Sequence, residues 1–400
     1  MKPIIAVLLA ARSALAQEAP LYEAEPIFPP EKVHNHGSCV VETPGGDLLA
    51  CWYHGSGERK ADDVVVLGAR KRKGAATWSK PFLLADTPGF PDTNSCLLVD
   101  PRGKLWLFWP VILANEWHTA LMTCKVSSRF EDDGPPRWEE EKTMLLKPGP
   151  EFAASLEEAI GQMKADGVEA KIPRASEWFT EVRRMAADKL STRLGWMTRA
   201  HPTVIDGTRI IVPLYSDGFN FSLMALSDDW GATWVVSAPL VGGGNVQPSV
   251  VQKKDGTLAT YMRDNGPPPK RLLYSESRDR GKTWSRVIDS SIPNPGSGVE
   301  VIALEGGLWA MVNNDTENGR HSLAVTLSPD EGKTWPWTRH LEPRADFTGG
   351  RSASYPSIVQ AHDGSLPVTY SRSTDGETIF HARFNVAWVK AGDPRAGEKL

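Results

Sequence analysis

Side chains that can move protons or bind ions recur at one kind of place in this 400-residue chain, the mouths of short apolar runs. His36, Asn94, His201, Gln247, Glu300 and Tyr355 stand just before the runs SCVVE, CLLVD, PTVID, PSVVQ, VIAL and PSIVQ. A second group follows the next apolar run in five of the six cases: His54 with Glu58, Tyr215 to Asp217, Arg263 to Asn265, Asn313-Asn314, and Arg372. Imidazoles and carboxylates exchange protons, a phenol can attack or donate, and guanidiniums clasp an anionic oxygen pair. Unpaired polar groups are poor core material. The set therefore reads as the lining of a polar cleft.

The elements that must position these residues repeat. GGDLLACWY, RGKLWLFW, DGTRIIVPLY, DGTLATYMR, EGGLWAMVN and DGSLPVTYS are six copies of a glycine turn leading into an apolar strand. Each follows one of the runs above, so each copy is a two-stranded hairpin. A second motif, Ser-x-Asp-x-Gly-x-Thr-Trp, falls once per copy in the later half, as SDDWGATW, SRDRGKTW and SPDEGKTW, with a weaker form ending at Trp78. Its Gly-Lys-Thr is not a phosphate loop, because Leu327 and Glu276 stand where that loop needs its first glycine. One Asp per copy is also too few oxygens for a calcium loop. As structure, every fixed position has a use: Asp accepts from the turn's own amides, Gly permits a positive φ, and Trp packs between neighbours.

The spacing predicts an all-β, six-bladed β-propeller over residues 24–395, with four strands per blade. The stretches EFAASLEEAIGQM and SEWFTEVRRMAADKL carry apolar residues at helical spacing (Trp178, Val182, Met185, Leu190), which predicts a helical insertion over 148–196 between the second and third repeats. IFHARFNVAWV is expected to supply strands of the last blade. Because blade strands alternate in direction, the glycine hairpins and Asp motifs share one face. The polar set lies on the other face, where a site is expected.

Composition narrows the function classes. A formal charge of −4 and a pI near 6.2, with no basic run, exclude a nucleic-acid binder. Lys2, an apolar stretch and Ala14-Leu15-Ala16 form the pattern of a secretory signal ending at residue 16, which predicts a periplasmic or secreted protein. No later stretch approaches the length of a membrane span. The four cysteines, Cys39, Cys51, Cys96 and Cys124, are too few for a disulfide framework. Cys39 and Cys51 flank one hairpin symmetrically, either facing each other or standing as two buried thiols. Among the histidines only His34-x-His36 has ligand-like spacing, so neither a metal nor a cofactor is implied.

The three Ser-x-Asp-x-Gly-x-Thr-Trp strings are Asp-boxes, and with six blades the chain resembles the sialidase (neuraminidase) superfamily, whose repeats are also called BNR repeats. The resemblance implies an exo-glycoside hydrolase acting on a terminal sialic acid or related carboxylate-bearing sugar of a glycan. It carries over Tyr355 as the nucleophile, and Arg263 and Arg320 as the carboxylate clamp. The acid/base falls in GSGERKADD, where Glu58, Asp62 and Asp63 are available. Gln247 stands where the family has the Glu that activates the Tyr, so His36 or His201 is needed as helper. Asn35 and His36, in NHGS, stand where the family has its first Arg, and a protonated His36 would replace that cation. Asn94, His54 and Asp217 complete the substrate lining. Two further readings use the same residues. A uronate-directed lyase would employ His201, Tyr355 and the arginines on a C5 proton, and its unsaturated product would absorb ultraviolet light. A carbohydrate-binding propeller would do no chemistry, and would keep glycan binding when Tyr355 and Arg263 are replaced.

Overall fold

A computed structural model describes residues 18–342, 352–374 and 376–394. The expected signal segment, 1–16, lies outside the described residues. Six four-stranded antiparallel sheets form a six-bladed propeller. Their inner strands are His34–Glu42, Cys96–Val99, Thr203–Ile205, Asn245–Gln252, Glu300–Ala303 and Ser352–Ile358. Each hairpin from first to second strand is the glycine-turn repeat seen in the sequence. Among the described residues no helix is long and apolar enough to cross a membrane.

The last blade departs from expectation. Only Glu377–Phe384 of the C-terminal run is a strand, and its outer partner is the N-terminal strand Tyr22–Pro26, with Tyr22 opposite Phe384. The ring is thus closed by pairing the two ends of the chain. Asn385 then caps a short helix, Val386–Lys390, accepting from the Trp388 amide at 2.9 Å. Trp388 stacks on Tyr22 at 4.5 Å, which fastens the closure.

The Asp-boxes are clasps. In the box at 277–284, Asp279 accepts from Ser277 Oγ at 2.8 Å, from the Thr283 amide at 2.9 Å and from Thr283 Oγ1 at 2.6 Å. The boxes at Asp229 and Asp330 repeat all three bonds. Gly281 has φ +84°, and a Cβ there would meet Ile211 of the preceding blade at 3.3 Å. Each box therefore docks its blade against the one before.

Helices Glu151–Ala165, Val168–Lys171, Ala175–Ala187 and Lys189–Arg193 lie between the second and third blades. Phe152, Leu156 and Ile160 from the first, and Phe179, Val182 and Met185 from the third, are buried with Trp196, Phe219 and Phe221. Leu190, expected on this apolar face, belongs to the next helix, Lys189–Arg193, and is 62% exposed. Met185 packs beneath Gly218, so the helices buttress the loop that carries Asp217.

Candidate active site

The cleft is built by one repeated backbone irregularity. Between Val246 and Ser249 the inner strand spends three steps while its partner, from Arg263 to Tyr261, spends two. The same extra residue occurs between Ser354 and Ser357, and between His36 and Cys39. The bulged residues Gln247 and Tyr355 adopt φ of +52° and +55°, and Asn94, in the corresponding bulge of the second blade, +41°. Side chains with a Cβ avoid this region at a cost on the order of 1–3 kcal/mol, and such strain collects at functional sites. In the first blade the bulge holds Gly37, φ +66°, where a Cβ would strike the Tyr53 ring at 2.7 Å. The bulges turn Asn94, Gln247 and Tyr355 toward one point on the propeller axis.

Tyr355 is the centre of that point and is 8% exposed. Arg263 Nη1 donates to its phenolic oxygen at 2.8 Å, and Gln247 Nε2 donates at 3.3 Å. The Arg320 guanidinium lies 5.1 Å from the ring centroid, steadied by the Gly296 carbonyl at 3.1 Å. Burial alone would raise this phenol. The charges of Arg263 and Arg320 and the Gln247 hydrogen bond outweigh it, so the phenol lies below its ordinary value. Gln247 also donates to Tyr215 at 3.4 Å, as Asn94 does at 3.2 Å.

The opposite wall comes from the first blade. His36 meets the Tyr355 ring at 4.3 Å, and Tyr53 and His34 pack behind it, each 5.5–5.8 Å from the next ring. Burial, joined by the positive charges of His34 and Arg320, pushes His36 down to about 3, so it is neutral. That overturns the expectation of a protonated His36. The cation is His34: burial opposes its charge, yet Glu377 at 2.9 Å and Glu58 at 3.6 Å raise it to about 9. Glu58, hydrogen-bonded by Tyr53 at 3.4 Å, is held below the usual carboxylate range, first by His34. Asp217 lies exposed on the loop after the third blade's second strand, with Arg263, Arg59 and Glu58 as its charged neighbours. Water reaches it, but the protein mass around it raises its carboxyl.

Five of the expected residues are elsewhere. Strand period 2 puts Asn35 on the other side from His34 and His36. There it is 2% exposed, accepts from Trp52 Nε1 at 3.0 Å and donates to Glu31 and Val33. His54, directly opposite Asn35, points the same way and meets its Oδ1 at 2.9 Å. Asp62 is at the exposed rim, bound to Asn115 at 2.8 Å, and Asp63 folds back onto Ser56. His201 belongs to the far side. Between Met197 and Thr203 the third blade's inner segment spends six steps against its partner's four, one residue more than the other bulges. A one-residue slip turns a side chain to the opposite face, and His201 and Glu300 pair with each other there at 2.8 Å. Sequence reasoning missed Tyr53 and gave His34 no place in the cleft. The register, His36 opposite Tyr53, is the signal that finds the first, and shared strand parity with His36 finds the second.

With this geometry in view, the comparisons are specific about family. The model of a family described as BNR repeat-like domain matches residues 46–157 and 177–368. A sialidase of Micromonospora viridifaciens is 29% identical over 173 residues, 41% of this chain and 25% of that protein. An anhydrosialidase of Macrobdella decora is 27% identical over 179 residues, 41% of this chain and 23% of that protein. The matched segment therefore spans about a quarter of the length of these curated relatives. Among solved structures, the leech intramolecular trans-sialidase bound to 2,7-anhydro-Neu5Ac superposes with TM-score 0.68 at 14% identity, covering 92% of this chain and 71% of that one. The Ruminococcus gnavus intramolecular trans-sialidase with oseltamivir carboxylate gives 0.65 at 13%, covering 89% and 95%. A Dyadobacter fermentans protein of unknown function gives 0.67 at 15%, covering 91% and 98%. At these identities the structural likeness is one of fold.

Proposed function

The chain belongs to the BNR repeat-like family within the sialidase superfamily, and from that premise we propose that it is an exo-acting glycoside hydrolase for a terminal sialic acid or a related carboxylate-bearing sugar. The observation that carries this reading is the Tyr355 phenol held between Arg263 and Gln247 beneath Arg320. In this reading the two guanidiniums take the sugar carboxylate in charge-assisted bonds, each worth about 1.5–3 kcal/mol. Tyr355 attacks the anomeric carbon as a phenolate. Among the described residues no carboxylate is hydrogen-bonded to the phenol to take its proton. The positive field and the Gln247 donor lower the phenol, which favours the phenolate.

Departure of the aglycone needs a proton, and the raised Asp217 carboxyl is the group suited to give it. Glu58, kept anionic by His34, is suited to receive a proton from the incoming water. His34 carries charge near the place of the family's first Arg, but Glu377 and Glu58 already occupy it. Among the described residues the carboxylate would then be held by two guanidiniums, Arg263 and Arg320. Turnover of aryl sialosides and aryl uronides by wild type and Tyr355→Phe tests the reading. Sialoside cleavage that survives the substitution sinks it.

A further inference from the structure

On the far side of the ring from the cleft, His201 is part of a second chain of reactive groups. Its Nδ1 lies 2.8 Å from Glu300 Oε1, and its Nε2 lies 2.8 Å from the Val40 carbonyl. Both partners only accept, so both ring nitrogens carry protons and the ring is an imidazolium. Glu300 is fixed as its counter-ion by the amides of His201 at 2.7 Å and Ile358 at 2.8 Å. The same Nε2 is 3.1 Å from Cys39 Sγ, and the Leu97 amide donates to that sulfur at 3.2 Å. The Leu97 carbonyl lies 3.9 Å from the same sulfur. Two N–H donors, from His201 and Leu97, converge on one sulfur, an arrangement that suits a thiolate.

The titration tendencies agree with this geometry. Burial raises the Cys39 thiol, but the Cys51 hydrogen bond and the His201 charge hold it well below its ordinary value. Cys51, buried and beside that anion, is pushed well above. Cys39 and Cys51 are direct cross-strand partners. Such pairs stand about 4.5–5.5 Å apart at Cα, inside the span of about 4.4–6.8 Å that a disulfide bridges. Cys39 is 1% exposed, which excludes bulky reagents. His201, however, also lines a cavity of about 660 Å³ between the inner strands, with Val41, Leu98, Ile302 and Ile358. Among the described residues no three ligand side chains converge as a metal site.

We propose that Cys39 and Cys51 form a hydroperoxide-reactive pair, with Cys39 as the attacking thiolate, Cys51 as the resolving thiol, His201 as the proton carrier and Glu300 as its positioning residue. Cys39 sulfur attacks one oxygen of hydrogen peroxide. The S–O bond forms, the O–O bond breaks, and the departing hydroxide takes the His201 proton to become water. The Cys51 thiol passes its proton to His201, and its sulfur attacks Cys39. The S–S bond forms, the S–O bond breaks, and the hydroxide leaves as water with that proton. Peroxide is reduced by two electrons and the two sulfurs are oxidised by two.

The test treats folded protein with hydrogen peroxide, then denatures it in N-ethylmaleimide for intact-mass and peptide analysis. Two of the four thiols should be lost in a dithiothreitol-reversible Cys39–Cys51 cross-link. In Cys51→Ala, peroxide-treated protein denatured in the presence of dimedone should carry the adduct of a sulfenic acid at Cys39. In Glu300→Gln the rate should fall at least tenfold, with its pH midpoint displaced upward. Thiols that all stay alkylatable until the protein unfolds overturn the proposal, as does oxidation of Cys96 or Cys124 at the same rate. Should Glu300→Gln fail to fold, the dimedone result on Cys51→Ala decides alone.

Discussion

Replacing Arg263 by Met should raise the Tyr355 phenol, and the structure says how that will be seen. The chain has seven tyrosines. Six of them, Tyr22, Tyr53, Tyr215, Tyr261, Tyr274 and Tyr370, are raised, in every case first by burial. Tyr355 alone is lowered. Alkaline titration followed by tyrosinate absorbance should therefore show one residue ionising ahead of the rest, and Tyr355→Phe should delete that wave. The Arg263 bond at 2.8 Å is charge-assisted and worth about 1.5–3 kcal/mol. At about 1.4 kcal/mol per pH unit, its loss moves the first wave up by about 1–2 units. Below both midpoints the phenolate fraction then falls about 10- to 100-fold, and kcat/KM falls at least as far, because the sugar carboxylate also loses a partner. Met keeps the aliphatic stem, and circular dichroism checks the fold. A first wave that Arg263→Met leaves unmoved, or a titration with no early tyrosine, refutes the reasoning.

Gln247→Glu places a base 3.3 Å from the phenol, so the acid limb of the pH–rate profile should move to lower pH. An unmoved limb would mean that phenol ionisation does not set it. His34 is raised to about 9 from an ordinary 6.5; stability from its charge is complete below pH 6.5 and is lost as pH climbs through 9. His34→Gln should accordingly flatten the alkaline decline of Tm between those values, and an identical decline contradicts the assignment. Asp279→Ala removes three clasp bonds and should destabilise by about 1–3 kcal/mol in urea unfolding, with KM unchanged. A shifted KM would place the box nearer the chemistry than the fold does.

The hairpin repeat, the boxes and the polar face were legible because each is a local pattern: alternation, a glycine turn, a fixed motif. What failed was non-local or turned on a single residue of register. His201 was misplaced by the extra residue in the third blade's inner segment, which no local signal near HPTV announces. Asn35 and His54 were misplaced because the first inner strand begins at His34, ahead of the apolar run, so parity assigns them to the outer side. The closing strand Tyr22–Pro26 is partly exposed and has no apolar alternation of its own; it is a strand because Glu377–Phe384 offers it an edge. Cys39 and Cys51 did face each other as the hairpin symmetry allowed, while their link to Glu300 needed three blades to meet.

In the proposed function Tyr355, set between Arg263, Arg320 and Gln247, is the nucleophile of a glycosidase for carboxylate-bearing sugars. Release of the aryl group from an aryl α-sialoside, compared between wild type and Tyr355→Phe at matched folding, tests it most directly. The wild type should turn over, and the variant should lose at least about 1000-fold, roughly 4 kcal/mol of transition-state stabilisation. Equal turnover by both proteins would contradict it.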